Sequence, residues 1–454
     1  MSQVKLFSSS GGARVAKRSG KPKKQKIKKP LKTLAIWLLV ILCLEGLYFF
    51  CVYTKNEFVA KWRTIYINTA MDTMRHQWLA TYFIPKDVID EVRYEYGLVR
   101  AATVGKESNA NWGKTDTPAE PDTPATGNEE SVTHIDPDVT HETDTNKPDE
   151  LTPEELEKQA QESFYTVFWE IDRTSMEAYL AEHPDTLANG WDHIYINEAG
   201  FDDEGTSIQS TFGEQVLAID AYNGVLLLRI SGKGYRGVLA VGKDPSRLSI
   251  EMATTLGTAG QLSGTIAEAH NGVLAMNANG FLDPNGAGNG GLLAGYSMSN
   301  GTAYGEHFSA YAYKRIELHE DNLFYIKDAL SPVSEDCTDA AEFTPALIVD
   351  GKKIMDDYWT GEQPRACIGQ SEKYEILMLV IEGRYPLEGI LGTSVNNCSE
   401  ILLQHKCMQA INLDGGSSAM LWFDGEYVTQ SSSSPLRYTG GRPLPNAWVY
   451  KKAE

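Results

Sequence analysis

The chain has 454 residues, of which 42% are hydrophobic and 22% charged, and these values exclude a wholly disordered chain, a fibrous repeat and a polytopic membrane protein. The formal net charge is −20, yet eleven of the 41 Lys and Arg residues lie within residues 1–33, which contain no acid. The rest of the chain is therefore strongly acidic. This argues against nucleic acid as a partner, because binding to phosphates needs a basic surface.

An apolar run at residues 34–53 follows the basic tail and contains one charged residue, Glu45. A helix needs about 20 residues to cross a bilayer. We therefore predict a basic cytoplasmic tail (1–33), a transmembrane anchor (34–54) and an extracellular C-terminal domain, since Lys and Arg are retained on the cytoplasmic side. A cleaved signal peptide is the alternative, but the run is too long for one and no small-residue cleavage site follows it.

Two segments of different character follow the predicted anchor. Residues 55–101 contain apolar positions at helical spacing and are predicted to form a juxtamembrane helical segment. These positions are Ala70, Met71, Met74, Trp78 and Leu79. Residues 102–150 hold twelve acids, three bases, one Ile and no Leu. Such a composition cannot bury a core, so we predict a disordered acidic linker that holds the rest of the chain away from the membrane.

Residues 151–224 are predicted to be an ordered lead-in of helices and strands. Thr152 is the predicted N-cap of its first helix, with Pro153 at the first helical position. Glu155 stands three residues after the cap, which completes a capping-box pattern. We expect this helix to run to about Glu170.

Strand patterns dominate residues 225–451. The sequence at 232–237 matches GxGxxG, but a strand follows where a dinucleotide fingerprint requires a helix, so we interpret it as a hairpin loop. Asp-Gly pairs at 350–351 and 424–425 predict two further hairpins, and the apolar run at 376–381 predicts a central strand. The pattern favours an α+β fold, in which mixed, largely antiparallel sheets carry flanking helices, over a doubly wound sheet.

Three glycine-rich polar clusters lie between the predicted strands, at residues 275–291, 364–370 and 410–418. Glycine lets the backbone approach a ligand closely, and the asparagines of the first and third clusters can bond sugar hydroxyls. Arg365, in the second cluster, offers a fork of donors that suits phosphate or carboxylate, and Asp414 is the best-placed acid. We therefore predict a site for an anionic polyhydroxyl ligand, which is either bound or cleaved.

At these clusters the chain resembles the phosphodiester glycosidase family, over roughly residues 225–451. The resemblance rests on Asn-Ala-Asn-Gly-Phe at 277–281, Pro-Arg-Ala-Cys-Ile-Gly at 364–369, Glu-Gly-Arg at 382–384, Asn-Leu-Asp-Gly-Gly-Ser at 412–417 and Arg-Pro-Leu-Pro-Asn-Ala at 442–447. Glu382 replaces an Asp of the family pattern, and Ser417 replaces a Gly. The resemblance implies a membrane-anchored extracellular glycosidase that hydrolyses a sugar-1-phosphodiester of the N-acetylglucosamine type, in cell-envelope or exopolysaccharide glycans.

The resemblance also implies roles for individual residues. Arg365 would neutralise the departing phosphate. Asp414 would stabilise an oxocarbenium-like transition state, act as nucleophile or activate water, and His270 is a further candidate acid or base. The predicted substrate-binding residues are Asn277, Asn279, Gly280, Asn412, Gly415, Gly416, Arg384 and Arg442. The structural alternatives are that Asp414 and the asparagines only form turns and that Arg365 only forms an ion pair.

We expect no cofactor. Asp283, Asn285 and Asn289 are spaced loosely like the ligands of a calcium loop, but the terminal Glu of an EF-hand is missing, so a turn is the favoured interpretation. Among the six cysteines, Cys337 and Cys367 are the more plausible disulfide pair, and free thiols are equally compatible with the sequence.

The main alternative function is a non-catalytic binding or scaffold protein for phosphorylated envelope polysaccharide. Either function implies a phosphorylated glycan as the partner. The enzyme hypothesis predicts that Arg365 and Asp414 converge in one polar pocket. The scaffold hypothesis tolerates their dispersal and predicts an exposed apolar patch instead. The sequence leaves the oligomeric state open.

Overall fold

The structure is a computed structural model that describes residues 29–73, 76–109, 112, 151–200, 203–284, 288–308, 313–355, 360–433 and 439–454. The chain divides into two compact units, residues 1–60 and 61–454. The helices of the described residues are α1 (Lys29–Tyr53), α2 (Glu57–Met71), α3 (Trp78–Thr81), α4 (Lys86–Ala101), α5 (Pro153–Val167), α6 (Arg173–Glu182), α7 (Ser263–Ala269) and α8 (Val395–Gln404).

The strands of the described residues all belong to the second unit. They are β1 (Tyr195–Asn197), β2 (Gln215–Asp220), β3 (Val225–Gly232), β4 (Tyr235–Gly242), β5 (Leu248–Met252), β6 (Gly272–Asn277), β7 (Gly280–Leu282), β8 (Leu292–Ala294), β9 (Ser297–Ser299), β10 (Thr302–Tyr304), β11 (Lys314–His319), β12 (Phe324–Asp328), β13 (Cys337–Phe343), β14 (Ala346–Val349), β15 (Lys352–Lys353), β16 (Arg365–Ser371), β17 (Ile376–Ile381), β18 (Cys407–Asn412), β19 (Leu421–Phe423), β20 (Glu426–Tyr427) and β21 (Asn446–Lys451).

The first unit contains α1. Within the described part of the chain, one helix is long and apolar enough to cross a membrane, over Lys32–Tyr53, with a mean hydropathy of 2.4. This helix coincides with the anchor predicted at residues 34–54. Its length and composition fit a membrane span.

The second unit is built from antiparallel sheets. A nine-stranded sheet has the order β1-β2-β3-β4-β17-β16-β18-β14-β15, two five-stranded sheets have the orders β10-β9-β13-β11-β12 and β20-β19-β6-β21-β5, and β7 pairs with β8. The pairings among these strands are antiparallel. The predicted α+β class, with largely antiparallel sheets and flanking helices, is confirmed.

Strand β17 lies between β4 and β16 in the nine-stranded sheet, and all six of its residues are buried. Ile376, Met378 and Val380 belong to one hydrophobic core, whereas Leu377 and Leu379 belong to another. Alternate residues of a strand point to opposite faces of a sheet, so this sheet has a core on each side. The predicted central strand is confirmed.

Local sequence signals also predicted the turns and the first helix of the second unit. Thr152 caps α5 in a capping box with Glu155, although the helix ends at Val167 rather than near Glu170. The sequence at 232–237 forms the β3–β4 hairpin instead of a dinucleotide loop. The two Asp-Gly pairs join β14 to β15 and β19 to β20.

The predicted helical segment at 55–101 consists of three helices, and its apolar positions do not all lie on one of them, because α2 ends at Met71 and α3 begins only at Trp78. Thr73 closes the end of α2, since its hydroxyl donates to the Ala70 carbonyl at 2.9 Å and accepts the N–H of His76 at 2.9 Å. Met74, part of the predicted pattern, lies outside the described residues.

The predicted linker of residues 102–150 begins too early. The backbone of Ser108 pairs with that of Ile326 at 2.8 Å, and the Trp112 indole donates to the Phe324 carbonyl at 3.1 Å. Residues 113–150, which lie outside the described residues, therefore connect Trp112 to α5 within one compact unit. The predicted spacer therefore does not stand between the two units, because the residues on both sides of it belong to the second unit.

The four cysteines of the second unit are buried and free. Cys337 lies on β13 and Cys367 on β16, which belong to different sheets. The disulfide between Cys337 and Cys367 is not formed, and the free-thiol alternative describes the structure.

A buried ion cluster lies at the end of β4. The Lys243 ammonium is 2.6 Å from a carboxylate oxygen of Glu170 and 2.8 Å from one of Glu375, and the exposed fractions of the three side chains are 6%, 1% and 6%. Burial raises the pKa of the Glu170 carboxyl, and the charge of Lys243 opposes this effect. The ammonium therefore compensates both buried carboxylates, and Glu375 also accepts hydrogen bonds from the Trp169 indole and the Ser371 hydroxyl, each at 2.8 Å.

Candidate active site

A cavity of about 400 Å³ in the second unit brings the second and third glycine-rich clusters together. Eight of the eleven predicted site residues line it. They are Gly280, Arg365, Arg384, Asn412, Asp414, Gly415, Gly416 and Arg442. Arg365 and Asp414 thus converge in one polar pocket, as the enzyme hypothesis requires.

The convergence follows from the pairing of β16 with β18. Cys367 stands opposite Asn412, so the chain leaves β18 beside the start of β16. The N–H of Gly416 then donates to the Pro364 carbonyl at 3.2 Å. A Cβ at Gly415 would lie 2.5 Å from that carbonyl oxygen, so only glycine fits there. The close contact holds Asp414 next to the arginine that opens β16.

The Asp414 carboxyl is half-buried in the cavity wall. Burial raises its pKa above the ordinary value, and the positive charges of Arg442 and Arg384 oppose this effect. The Asn277 amide donates to the Asp414 backbone carbonyl at 2.8 Å from a fully buried position. Asn277 therefore positions the loop from behind the cavity and does not line it, contrary to the prediction that it binds sugar.

Arg365 already uses one edge of its guanidinium. Its Nε donates to the Thr393 carbonyl at 3.0 Å, and its Nη2 donates to the Gly361 carbonyl at 2.7 Å. The prediction that the guanidinium offers its fork of donors to a ligand is therefore wrong for the Nε–Nη2 edge, because backbone carbonyls already occupy both donors. What faces the cavity is a fixed positive charge on a side chain that two backbone carbonyls hold in place.

Two more arginines add positive charge to the cavity wall. Arg384 has a left-handed backbone (φ +66°) and donates from Nη2 to the Gln363 side chain at 2.7 Å. Burial and the neighbouring charge of Arg365 lower the pKa of Arg384. Arg442 lies over the Phe281 ring, with 4.2 Å between its guanidinium carbon and the ring centroid. The wall therefore favours an anionic ligand.

The other cavity residues from the prediction have clear positions. Gly280 faces the cavity, where a Cβ would lie 3.2 Å from the Phe343 ring. Asn412 is nearly buried and its amide donates to the Thr344 carbonyl at 2.8 Å. Gly416 adopts φ +64° close to Arg384, so a side chain there would be strained and would crowd the guanidinium.

The structure does not bring Asn279 to the cavity. Its side chain is fully buried, donates to the Tyr296 carbonyl at 3.0 Å and accepts from the Asn446 amide at 3.0 Å. The predicted role in substrate binding does not fit this position. An amide that can bond sugar hydroxyls can equally bond backbone and side-chain groups of the core.

His270 also lies away from the cavity. It ends α7, just before β6 begins, whereas Asn277 ends β6, so about six residues of extended strand separate them. The imidazole pairs with Glu251, with 2.9 Å between Nδ1 and the carboxylate oxygen. The predicted role as catalytic acid or base does not fit this position.

Two of the three residues proposed as calcium ligands are described, and both make hydrogen bonds within turns. Asp283 accepts the N–H of Gly288 at 2.9 Å, and Asn289 accepts the N–H of Gly291 at 3.1 Å, which are turn contacts. Asn285 lies outside the described residues. In the described part of the chain, no group of three or more His, Cys, Asp or Glu side chains is arranged to hold a metal ion.

The sequence analysis did not predict that the helical segment at residues 55–101 contributes to the cavity. Asp72 and Thr73, at the end of α2, and Tyr96 and Arg100, on α4, line the same cavity. Arg100 donates from Nη2 to the Thr344 hydroxyl at 2.7 Å. The contact joins residues 244 positions apart in the chain, so no local pattern could have signalled it.

Part of the chain is similar to a known protein family. The family model described as phosphodiester glycosidase matches residues 270–451. The comparison with curated proteins gave no match. Similar solved structures include the zebrafish N-acetylglucosamine-1-phosphodiester alpha-N-acetylglucosaminidase catalytic domain auto-inhibited by its pro-peptide, with 15% identity over 50% of this chain and 82% of that chain, and a TM-score of 0.41.

Two further solved structures are similar. A hypothetical protein from Synechocystis has 15% identity over 53% of this chain and 65% of that chain, with a TM-score of 0.35. An exported protein from Burkholderia pseudomallei K96243 has 13% identity over 48% of this chain and 74% of that chain, with a TM-score of 0.34. Residues 270–451 of the chain are thus similar to the phosphodiester glycosidase family.

Proposed function

We propose that this protein is a glycosidase that hydrolyses a sugar-1-phosphodiester. The observation that carries the proposal is the convergence of Asp414 with Arg365, Arg384 and Arg442 in one cavity, within the residues that match the family. A phosphodiester carries a negative charge beside the sugar that it holds, and the cavity offers positive charge beside one carboxyl. The sugar is of the N-acetylglucosamine type, and the glycan belongs to the cell envelope or to an exopolysaccharide.

The proposed reaction breaks the bond between the anomeric carbon and the phosphate oxygen. The oxygen of a water molecule becomes bonded to the anomeric carbon, one water proton is released, and the bonding electrons leave with the phosphate monoester. A phosphate leaves as a stable anion, so the reaction needs little help from a general acid. This agrees with the absence of His270 from the cavity.

Each charged group of the cavity opposes one of the charges that develop. Positive charge grows on the sugar ring, and the Asp414 carboxylate stabilises it. Negative charge grows on the departing phosphate, and the fixed guanidinium groups of Arg365 and Arg384 stabilise it. Because Arg365 is held by two backbone carbonyls, it needs little rearrangement during the reaction.

Sugar release tests the proposal. The full chain, in detergent, is incubated with UDP-N-acetylglucosamine or with a synthetic sugar phosphodiester, and free sugar is measured. Release of sugar by the parent chain supports a glycosidase. Tight binding without any release of sugar would favour the alternative, a scaffold for phosphorylated envelope polysaccharide.

The raised pKa of Asp414 predicts the pH dependence of the reaction. If the carboxylate form is the active one, kcat/KM falls as the pH is lowered through the pKa of this group. Burial raises that pKa, so the midpoint of the acid limb should lie above the ordinary Asp value of about 3.9. A pH–rate profile checks this, and an acid limb centred at or below that value would contradict the role of Asp414.

We further propose that α1 anchors the protein in the cell membrane as a single span, with the N-terminus in the cytoplasm and the C-terminal domain outside. The apolar stretch Lys32–Tyr53 and the eleven basic residues of the tail support this orientation. Protease added to intact cells should digest the C-terminal domain, with early cuts in residues 113–150, and should spare an N-terminal epitope. A domain that stays intact until the cells are lysed would contradict the orientation.

A further inference from the structure

Helices α2 and α3 present an exposed aromatic surface. Trp62 and Tyr66, on α2, are 52% and 41% exposed, and Trp78, on α3, is 49% exposed. Tyr82 and Phe83, which directly follow α3, are 81% and 58% exposed. Residues four apart lie on the same face of a helix, so Trp62 and Tyr66 form one pair on α2. The N–H of Tyr82 donates to the Trp78 carbonyl at 3.0 Å, which continues the turn of α3 and forms a second pair. We call these five residues the aromatic face.

The aromatic face is an ordered surface. The Tyr66 hydroxyl donates to the Leu79 carbonyl at 2.6 Å, which fixes α2 to α3. The rings of Trp78 and Tyr82 meet edge to face, with 6.4 Å between their centroids. The hydrogen bond therefore holds the helix that carries Trp62 and Tyr66 to the helix that carries Trp78.

The composition of the aromatic face suits the interface of a bilayer. Trp and Tyr combine an apolar ring with a polar tip and are enriched at the headgroup level of membranes. Trp62 also follows the end of the apolar helix α1 by only nine residues of chain. The exposed Lys61 beside it suits anionic headgroups. A lipid surface is thus the partner that both the chemistry and the chain connection favour.

The aromatic face and the cavity share one structural element. Asp72 and Thr73, in the connection between α2 and α3, line the cavity, and Asp72 precedes Trp78 by six residues. Arg93 on α4 pairs with Asp72 at 2.6 Å and so ties this connection to the helix that supplies Tyr96 and Arg100. A membrane that held the aromatic face would lie within a few residues of the cavity wall.

We propose that the aromatic face lies in the headgroup region of the membrane, and that the adjoining cavity takes a sugar phosphodiester whose second alcohol is a lipid. The first part stands on the exposed surface itself, and the choice of substrate rests on the proposed glycosidase function. The two parts need separate readouts, one of which does not involve catalysis.

The first experiment measures the environment of the aromatic face in the full chain. Tyr82→Cys is made in a background of Cys43→Ser and Cys51→Ser, because the other cysteines are buried, and is labelled with an environment-sensitive fluorophore. Tyr222→Cys, at a half-exposed tyrosine outside the aromatic face, is the matched control. Each protein is placed in lipid nanodiscs and, separately, in a lipid-free amphipathic polymer.

The proposal predicts that the label at position 82 emits at shorter wavelength in nanodiscs and is quenched by spin-labelled lipid, and that the label at position 222 does neither. Equal emission at position 82 in nanodiscs and in polymer would overturn it. If the emission at position 82 is equally short in wavelength in both environments, a second copy of the chain covers the aromatic face. If the emission is that of a label in water in both environments, the aromatic face is exposed to solvent.

The second experiment tests the substrate. Sugar release is compared for a lipid-linked phosphodiester in vesicles and for a soluble methyl phosphodiester, with the parent chain and with the double variant Tyr82→Ser and Phe83→Ser. We expect the variant to lose about tenfold or more on the vesicle substrate, because the local concentration of substrate falls, and to keep its rate on the soluble one. Equal rates of parent and variant on the vesicle substrate would overturn the substrate class. Absence of release from both substrates would instead reject the glycosidase function, while the fluorescence result still decides the membrane contact.

Discussion

Replacing Asp414 by Asn should lower kcat on a sugar phosphodiester by about 100- to 1000-fold, the usual cost of losing one group that stabilises a transition state. Asn has the same shape, keeps the backbone carbonyl that accepts from Asn277, and removes only the negative charge. KM should change much less than kcat, because the charge on the sugar ring exists only in the transition state.

The matched control for this variant is Asp283→Asn, which changes a half-buried Asp of the β7–β8 connection outside the cavity lining. It should keep its activity. At pH 7 the Asp414→Asn protein should melt at or above the temperature of the parent. Burial raises the pKa of Asp414, so its ionised form costs folding free energy above that pKa. Full activity of the variant, or a loss of activity that comes with unfolding, would show that Asp414 only forms a turn.

Replacing Lys243 by Met should lower the free energy of unfolding by about 3–5 kcal/mol, the cost of breaking a buried ion pair. The substitution keeps the length of the side chain but leaves Glu170 and Glu375 buried without their ammonium partner. Urea denaturation followed by circular dichroism measures the loss. Lys86→Met, which removes an ammonium whose side chain is 87% exposed, is the matched control and should change stability by about 0.5 kcal/mol or less.

The Lys243→Met variant should also depend on pH in a defined sense. Burial raises the pKa of Glu170, and the loss of the neighbouring ammonium removes the main effect that opposes it. The folded variant then binds a proton more readily than the unfolded chain, so its stability should rise as the pH falls through the raised pKa. The difference in the free energy of unfolding between the parent and the variant should therefore shrink from pH 7 to pH 5. A constant difference would mean that lost packing, and not uncompensated charge, destabilises the variant.

The features that sequence reasoning predicted correctly are those with a local cause. The capping box at Thr152 and the two Asp-Gly hairpins depend on a few neighbouring residues, and each is found in the structure. The central strand at 376–381 carries its own signal, since a run that is apolar on both faces has to be buried on both.

The features that it missed depend on contacts between distant segments. Arg100 reaches the cavity by packing against Thr344, and Trp112 joins residues 102–112 to β12. A composition that cannot build its own core can still pack onto another one, and this is why the predicted linker began too early. Asn279 illustrates the same limit for the site, because its amide chemistry suits a sugar and a buried network equally well.

Among the predicted site residues that line the cavity, the glycines have neighbours that restrict them strongly. Gly415 and Gly416 leave no room for a side chain beside Pro364 and Arg384, so the loop that carries Asp414 has one way to lie on β16. The prediction for His270 rested only on its position in the sequence, just before the first cluster, and not on any packing requirement. Nearness to a motif in the sequence is therefore a weaker predictor of a position in the cavity than the close packing that the motif itself requires.

The position of bond cleavage tests the central claim most directly. The parent chain is incubated with a sugar-1-phosphodiester in water enriched in ¹⁸O, and both products are analysed by mass spectrometry. If the bond between the anomeric carbon and the oxygen breaks, as we propose, the released sugar carries the label and the phosphate monoester carries none. Label in the phosphate and not in the sugar would show attack at phosphorus, and the glycosidase assignment would be wrong.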